Sequence, residues 1–320
     1  MTATDPDLSA ADVAWDLEPL LDGAPSPLDL IAQSKELAQG LAGYRGRVGT
    51  LEAAELAELM TTVARINELM GRAGNYGMLR FSENTLDPER GALMQHVQEQ
   101  ATEVGTLLVF VELEFAAADD GHVARVLADP ALDFCRHHLE LTRLNRPHLL
   151  SEPEEKVLIE TSVTGASAWV RLFSELTSAI EVTLDDGQGG TRTAPLEQGL
   201  SLLQHPDRSV RQAAAAAVTD GLAPGLRTRG YISNTLLLDR SVEDRLRSFD
   251  TWISSRNLSN EASDASVDAL VQAVVKRYDI PSGGTGSRPG CWASIGWPTT
   301  TAWPPWPRAS RPSAGPRPPR

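Results

Sequence analysis

The chain of 320 residues is long enough for two or three domains of about 100 to 200 residues each, which excludes a small disulfide-stapled scaffold. Its 29 Lys and Arg residues against 43 Asp and Glu residues give a net charge of −14, which argues against binding to a phosphate backbone. We therefore expect no nucleic-acid partner. Only Cys135 and Cys291 are present, so a cysteine cluster for zinc or iron–sulfur is excluded and a reducing compartment is favoured.

The sequence indicates neither a signal peptide nor a membrane span. Its first 20 residues are acidic, whereas a signal peptide begins with basic residues and continues with apolar ones. The longest apolar stretch, residues 104–118, is interrupted by Glu112 and Glu114. We expect a soluble, cytoplasmic protein that does not contact membranes.

Helical periodicity dominates the chain before residue 280. Between Leu51 and Met70, apolar residues recur three to five positions apart and predict one face of a helix. The segment Asp87–Glu89 predicts the start of a helix of more than 25 residues, because Asp caps helix N-termini and the Pro that follows it suits the first turn. Ser151 and Glu154 have the spacing of a capping box and predict another helix start.

One β-hairpin is predicted among these helices. Residues 179–184 and 191–194 have the character of short strands, and the Gly-rich segment Asp185–Gly190 would connect them. Helical patterning resumes at Asp207 and occurs again over residues 267–274. The predicted fold class is therefore all-α with one short β-hairpin.

Histidines are the natural candidates for metal or general-base chemistry, and none of them lies in an HExxH motif. The six are His96, His122, His137, His138, His148 and His205. The densest cluster of possible ligands is Cys135–Glu140, but neighbouring helix positions point about 100 degrees apart and cannot all reach one ion. We interpret this cluster as structural. A helical enzyme that uses Cys135 or the two adjacent histidines is a minor alternative.

Two pairs of carboxylates, Asp119-Asp120 and Asp185-Asp186, lie beside glycines, where Asp is favoured for hydrogen bonds to the local backbone. We interpret both pairs as turns. The sequence contains neither a G-x-S-x-G elbow nor a G-x-x-x-x-G-K-[ST] phosphate loop. We therefore assign no catalytic, cofactor-binding or metal-ligating residue.

The composition changes near Ile280. Residues 281–320 hold 10 of the 21 Pro, 6 of the 25 Gly, 4 of the 7 Trp and five Arg, but no Asp, Glu, Lys or Leu. The first 280 residues consequently carry a net charge of −19. Because this density of Pro and Gly cannot continue a helix, residues 281–320 are predicted to be a disordered tail.

Several short motifs occur in a defined order before this tail. They are Trp15–Leu17; Leu144–Glu152 with Glu154–Lys156; Thr164–Ala166 with Trp169 and Leu172–Phe173; and Arg256–Ser259. Their order and spacing resemble the N-terminal part of the oligoendopeptidase F family, the thimet-oligopeptidase-like zinc metallopeptidases. The resemblance covers about residues 13–280.

The resemblance implies a mostly helical fold with a deep channel for short peptides. It also implies zinc held by an HExxH motif and a Glu on a following helix, with the HExxH Glu as the general base. Those residues lie downstream in the family, and the 320 residues contain no HExxH. We expect no cofactor in this chain and zinc in the intact family. The oligomeric state stays open.

Four segments are predicted from these patterns. Residues 1–120 would form an N-terminal helical region, 121–195 a family-type helical domain that ends in the hairpin, and 196–280 the start of a truncated peptidase domain. Residues 281–320 would be the tail.

Our hypothesis is that residues 281–320 are the product of a frameshift. In the shifted reading frame, each codon would take its last two bases from the first two bases of the codon for a tail residue. Each Trp codon would then supply the bases TG, so the shifted codon would encode Leu, Met or Val. Read in this way with suitable codons, residues 281–308 become an amphipathic, charged and helix-like sequence. Loss of one C from a CCC codon for Pro would suffice. A natural Pro-rich linker or tail is the alternative.

The function expected from these observations is that of a truncated oligoendopeptidase F-like zinc metallopeptidase. Its intact form would hydrolyse short peptides, and this chain would be inactive. The alternative is a non-enzymatic helical module that binds a peptide or a partner chain through an exposed apolar surface.

Overall fold

A computed structural model describes residues 15–185 and 188–280. Within these residues the chain forms twelve α-helices and one two-stranded sheet, which confirms the predicted all-α class with a single hairpin. The helices are α1 (Pro27–Gly40), α2 (Ala53–Glu83), α3 (Pro88–Ala117), α4 (Asp120–Leu127), α5 (Arg136–Asn145), α6 (Glu152–Ser162), α7 (Ala166–Ser178), α8 (Leu196–Leu202), α9 (Arg208–Leu222), α10 (Leu226–Leu246), α11 (Ser254–Ser259) and α12 (Asp264–Lys276). The strands are β1 (Glu181–Asp185) and β2 (Thr191–Pro195).

The described residues divide into two compact units. The first comprises residues 15–172 and 235–262, and the second comprises 173–234 and 263–280. The boundaries predicted at residues 120, 195 and 280 stay predictions. The predicted disorder of 281–320 lies outside the described residues, as does Cys291.

The core of the first unit is built on two long helices, α2 and α3, with α1 packed against both. The helix predicted between Leu51 and Met70 continues to Glu83, and its last turns bury Ala73, Gly77 and Phe81. A Cβ atom added to Gly77 would lie 3.4 Å from the Cα atom of Met94 on α3. The small residue therefore permits a close approach of the two helices.

The capping signals in the sequence are confirmed. The Asp87 carboxylate accepts hydrogen bonds from the backbone N–H groups of Glu89 and Arg90, and α3 runs for 30 residues from this cap. Ser151 and Glu154 form the reciprocal contacts of a capping box at the start of α6. These contacts satisfy N–H groups that have no acceptor inside a helix.

An arginine satisfies the carbonyl groups at the end of α3. Nη1 of Arg143 donates to the carbonyl oxygens of Phe115, Ala116 and Ala118, at distances of 3.3, 2.6 and 2.7 Å. Because the last carbonyls of a helix lack intrahelical donors and carry partial negative charge, a cation is favoured there. Arg143 thereby attaches α5 to the end of α3.

The second unit has a small core of its own beneath the hairpin. Antiparallel pairing sets Glu181 opposite Pro195, and the alternating residues Val182 and Leu184 are buried together with Ala194. This apolar face packs against α8 and α9.

Helix α12 buries none of its residues. Its apolar side chains include Leu270, Val271 and Val274, which are 64%, 53% and 51% exposed. The helix predicted over residues 267–274 is therefore confirmed, but its apolar side chains remain exposed to solvent.

Candidate functional site

The structure separates the residues of the Cys135–Glu140 cluster. Cys135 is buried before α5, its Sγ lies 3.6 Å from the carbonyl oxygen of Leu132, and burial raises the pKa of its thiol. The ring of His137 contacts the Glu261 carboxylate at 2.9 Å. His138 lines a cavity instead. Across residues 15–185 and 188–280, no group of three or more His, Cys, Asp or Glu side chains could hold a metal, so these residues do not fit the zinc site that the family implies.

The paired carboxylates make local structural contacts. Asp119 caps α4 by accepting a hydrogen bond from the His122 N–H at 2.9 Å. Asp120 forms ion pairs with Arg143 and Arg146. Asp185 ends β1, whereas Asp186 lies outside the described residues.

Two neighbouring cavities in the first unit share lining residues and form one cleft. One, of about 200 Å³, is lined mainly by apolar side chains of α2 and α3. The other, of about 390 Å³, is lined by residues of α3, α5 and α6, by Leu149 before α6 and by Arg247 after α10. Val109, Glu112, His138, Thr142 and Ile159 line both cavities. We refer to the two cavities together as the α3–α6 cleft.

A buried ion pair forms one wall of the larger cavity. Nη1 and Nη2 of Arg247 donate to Oε1 and Oε2 of Glu155, at distances of 2.8 and 2.9 Å. Oε1 also accepts from the N–H of Leu150, and Arg247 Nη1 lies 3.3 Å from the carbonyl oxygen of His148. The Arg247 Nε donates to Glu243 at 3.2 Å. The side chains of Glu155 and Arg247 are 9% and 19% exposed, respectively, so solvent screens their attraction only partly.

Both members of the pair are held in their charged forms. Burial opposes ionisation of Glu155, but the hydrogen bonds from Arg247 and from the Leu150 N–H outweigh it, so the pKa of Glu155 lies below its ordinary value. The hydrogen bond to Glu155 raises the pKa of Arg247, against the opposing effect of burial.

The ion pair is one of several contacts between segments that are distant in sequence. The His148 Nδ1 lies 2.8 Å from the carbonyl oxygen of Arg247, and the His148 ring stacks on Phe249 with centroids 3.8 Å apart. His148 and Glu155 both belong to the motifs quoted from the sequence, but Arg247 does not. Sequence reasoning missed Arg247, because a pairing across 92 positions leaves no periodic pattern.

No helix among residues 15–185 and 188–280 combines the length and the apolar character that crossing a bilayer would require.

Comparisons with known proteins agree on one family. The family model described as oligopeptidase F matches residues 114–181. Oligopeptidase PepF of Bacillus subtilis (strain 168) is 25% identical over 258 residues, which cover 79% of this chain and 37% of that protein. The oligoendopeptidase F homolog of Mycoplasma pneumoniae is 26% identical over 269 residues, which cover 81% and 43% respectively. This chain spans less than half the length of these curated relatives.

A solved structure has a similar fold. The crystal structure of oligoendopeptidase-F from Enterococcus faecium matches with a TM-score of 0.70 and 19% sequence identity. The match covers 78% of this chain and 50% of that chain.

Proposed function

Because this chain belongs to the oligoendopeptidase F family, we propose that it is the N-terminal part of a zinc metallopeptidase that hydrolyses short peptides. The observation that carries the proposal is the agreement between two kinds of likeness. Relatives that are named oligopeptidases align over about four fifths of the chain, and a solved oligoendopeptidase shares its fold. Zinc bound in the proposed intact enzyme would supply Lewis-acid chemistry for peptide hydrolysis, and no group of His, Cys, Asp or Glu side chains among the described residues could hold it.

We further propose that the 320 residues alone do not catalyse this reaction. A catalytic zinc takes three protein ligands and one open position, and the HExxH motif would supply two of those ligands and the general base. This motif does not occur in the 320 residues. The chain by itself therefore has no equivalent means of activating water.

We attribute the change of composition at residue 281 to a shifted reading frame. The support is the sequence of residues 281–308, which becomes amphipathic and helix-like when its codons are read in the alternative frame. We also propose a cytoplasmic location, because two cysteines in 320 residues suit a reducing compartment.

The proposal is tested with the purified 320-residue chain and a quenched fluorescent peptide similar to bradykinin. We expect no hydrolysis that a chelator abolishes and no stoichiometric zinc, whereas Bacillus subtilis PepF serves as the positive control. Chelator-sensitive hydrolysis together with one zinc per chain would refute the proposed inactivity.

A further inference from the structure

We propose that the outer edge of β1 binds an extended, arginine-containing peptide, which adds to the hairpin as a third, antiparallel strand. A cavity of about 650 Å³ lies along this edge, and all of its lining residues belong to the second unit. They come from the end of α7 and from β1, and from the end of α9 to the start of α10, whereas none of the described residues of β2 lines the cavity. The cavity therefore lies on the side of β1 that β2 leaves uncovered. This inference does not depend on the proposed peptidase function.

The register of the hairpin shows which backbone groups point to this edge. Antiparallel strands alternate between residue pairs that exchange hydrogen bonds and pairs that do not. The Leu196 N–H donates to the Ile180 carbonyl oxygen at 3.1 Å, so every second residue of β1 after Ile180 bonds to β2. Thr183 and Glu181 belong to the other set, and their N–H and C=O groups point away from β2. The residue opposite Glu181 is Pro195, which has no N–H to donate and agrees with this register.

The backbone of Thr183 is open to a further strand. Among residues 15–185 and 188–280, no hydrogen bond joins its outward N–H or C=O to another group. The Glu181 carbonyl oxygen faces α9 instead, since a Cβ atom added to Gly221 would lie 2.9 Å from it. The added strand would therefore end near Thr183. A peptide residue opposite Thr183 would exchange two backbone hydrogen bonds with it, as when an extended peptide adds to a sheet edge.

The carboxylates around this edge favour a cationic peptide. Glu181 and Asp185 lie two positions from Thr183 on either side, so the three side chains share one face of the strand. Asp220 of α9 lines the same cavity. Neither Glu181 nor Asp220 forms an ion pair with any residue that the structure describes. An arginine opposite Thr183 could reach Glu181 and Asp185, because long side chains contact their diagonal neighbours across a strand pair.

The cation in the cavity lining, Arg229, is engaged elsewhere. Its guanidinium donates to the carbonyl oxygens of Leu222 and Pro224 at the end of α9, where partial negative charge favours a cation. The apolar lining residues Leu176 and Ala217 would contact the rest of the peptide. The edge thus offers backbone hydrogen bonds, carboxylates for arginine and a partly apolar wall.

The test measures binding of fluorescein-labelled Thr-Val-Arg-Val-Thr amide to the full 320-residue chain by fluorescence anisotropy. Citrulline in place of arginine keeps the shape of the side chain and removes its charge, so we expect binding about fivefold weaker. Methylation of the Arg backbone nitrogen removes the N–H that points to Thr183 and should weaken binding by about tenfold. Methylation of the following Val nitrogen, which points away from β1, should change binding by less than about twofold.

Three results with these peptides would overturn the proposal. They are the absence of saturable binding, equal affinity of the arginine and citrulline peptides, and an equal effect of the two methyl groups. The last result would show that the peptide does not pair with β1 as an antiparallel strand.

Variants of the chain locate the site. Glu181→Lys should weaken peptide binding by about tenfold, whereas Glu197→Lys makes the same change of charge at an exposed position of α8 outside the cavity and should have less than about a twofold effect. Thr183→Pro removes the outward N–H but no hydrogen bond to β2, and it should also weaken binding by about tenfold. Circular dichroism verifies that each variant is folded. If Thr183→Pro does not fold, the two lysine variants decide.

Unchanged binding to folded Glu181→Lys would contradict this location. A second copy of the chain is the other possible occupant of the edge, and sedimentation without peptide detects it. A wild-type dimer that Glu181→Lys dissociates would assign the edge to self-association and overturn the proposal.

Discussion

Helices α2 and α12 carry the same kind of apolar stripe, but only α2 has its stripe covered. On α2, Leu59 and Ile66 are fully buried in the core of the first unit, where α1 and α3 pack against the helix. On α12, Leu270, Val271 and Val274 each remain more than half exposed. The difference shows that an apolar stripe identifies a face suited to burial, whereas the segment that covers it depends on contacts distant in sequence.

The largest expected effect comes from making the same substitution in these two helices. Leu59→Ala removes a fully buried side chain and should lower the free energy of unfolding by about 3–4 kcal/mol. Leu270→Ala removes a side chain that is 64% exposed and should change it by less than about 0.5 kcal/mol. Urea denaturation followed by circular dichroism measures both. A loss above about 1.5 kcal/mol for Leu270→Ala would mean that α12 is covered in solution.

The buried ion pair of Glu155 and Arg247 allows the same comparison of buried with exposed positions for charged side chains of the first unit. Glu155→Gln removes the charge opposite Arg247 and should lower the free energy of unfolding by about 2–3 kcal/mol. The matched control, Glu160→Gln, changes an exposed residue of the same helix and should be close to neutral. Denaturant midpoints at neutral pH report the two values.

The ion pair also has a pH signature. The fold lowers the pKa of Glu155, so its stabilisation is present above the ordinary value of 4.5 and is lost as the pH falls through the lowered value. The stability difference between the wild-type chain and Glu155→Gln should therefore shrink in that acidic range. A difference that stays constant from neutral pH to pH 2 would contradict the assignment of an ionised, paired Glu155.

A smaller effect is expected in the second unit, where the hairpin packs closely against α9. A Cβ atom added to Gly221 would lie 2.8 Å from Val182 Cγ1 and 2.9 Å from the Glu181 carbonyl oxygen. Gly221→Ala should therefore lower the free energy of unfolding by about 1–2 kcal/mol, because the strand backbone cannot yield cheaply.

Gly230→Ala is the matched control for this change. Gly230 lies in α10, and a Cβ atom there would have nothing within 4 Å. The substitution should be stabilising by about 0.5–1 kcal/mol, because Ala has the higher helix propensity. Equal stability of the two glycine variants in urea denaturation would contradict the close packing of the hairpin against α9.

Local signals in the sequence were sufficient for much of the fold. Asp87 and the pair Ser151 and Glu154 predicted helix starts, since capping involves residues only two or three positions apart. The hairpin followed from two short strands and a Gly-rich connection. The apolar recurrence between Leu51 and Met70 did not indicate the last turns of α2, where Gly77 contributes a close helix contact rather than an apolar side chain.

The candidate site was not predictable in the same way. The α3–α6 cleft depends on how four helices pack, and its polar wall depends on Arg247 meeting Glu155 across 92 positions. Neither feature produces a repeat or a spacing within one helix. The family resemblance pointed to the stretch around His148 and Glu155, but physical contacts were needed to show what these residues do.

The central claim, that these 320 residues are the N-terminal part of a longer peptidase, is tested most directly by resequencing the gene. Sequencing from independent template DNA would cover the codons for Tyr278 to Arg320 and about a kilobase beyond them. The account predicts one additional base near the codon for Pro281, after which the frame stays open and encodes HExxH. Bases that exclude this alternative frame would contradict the claim and identify the Pro-rich segment as part of the natural protein.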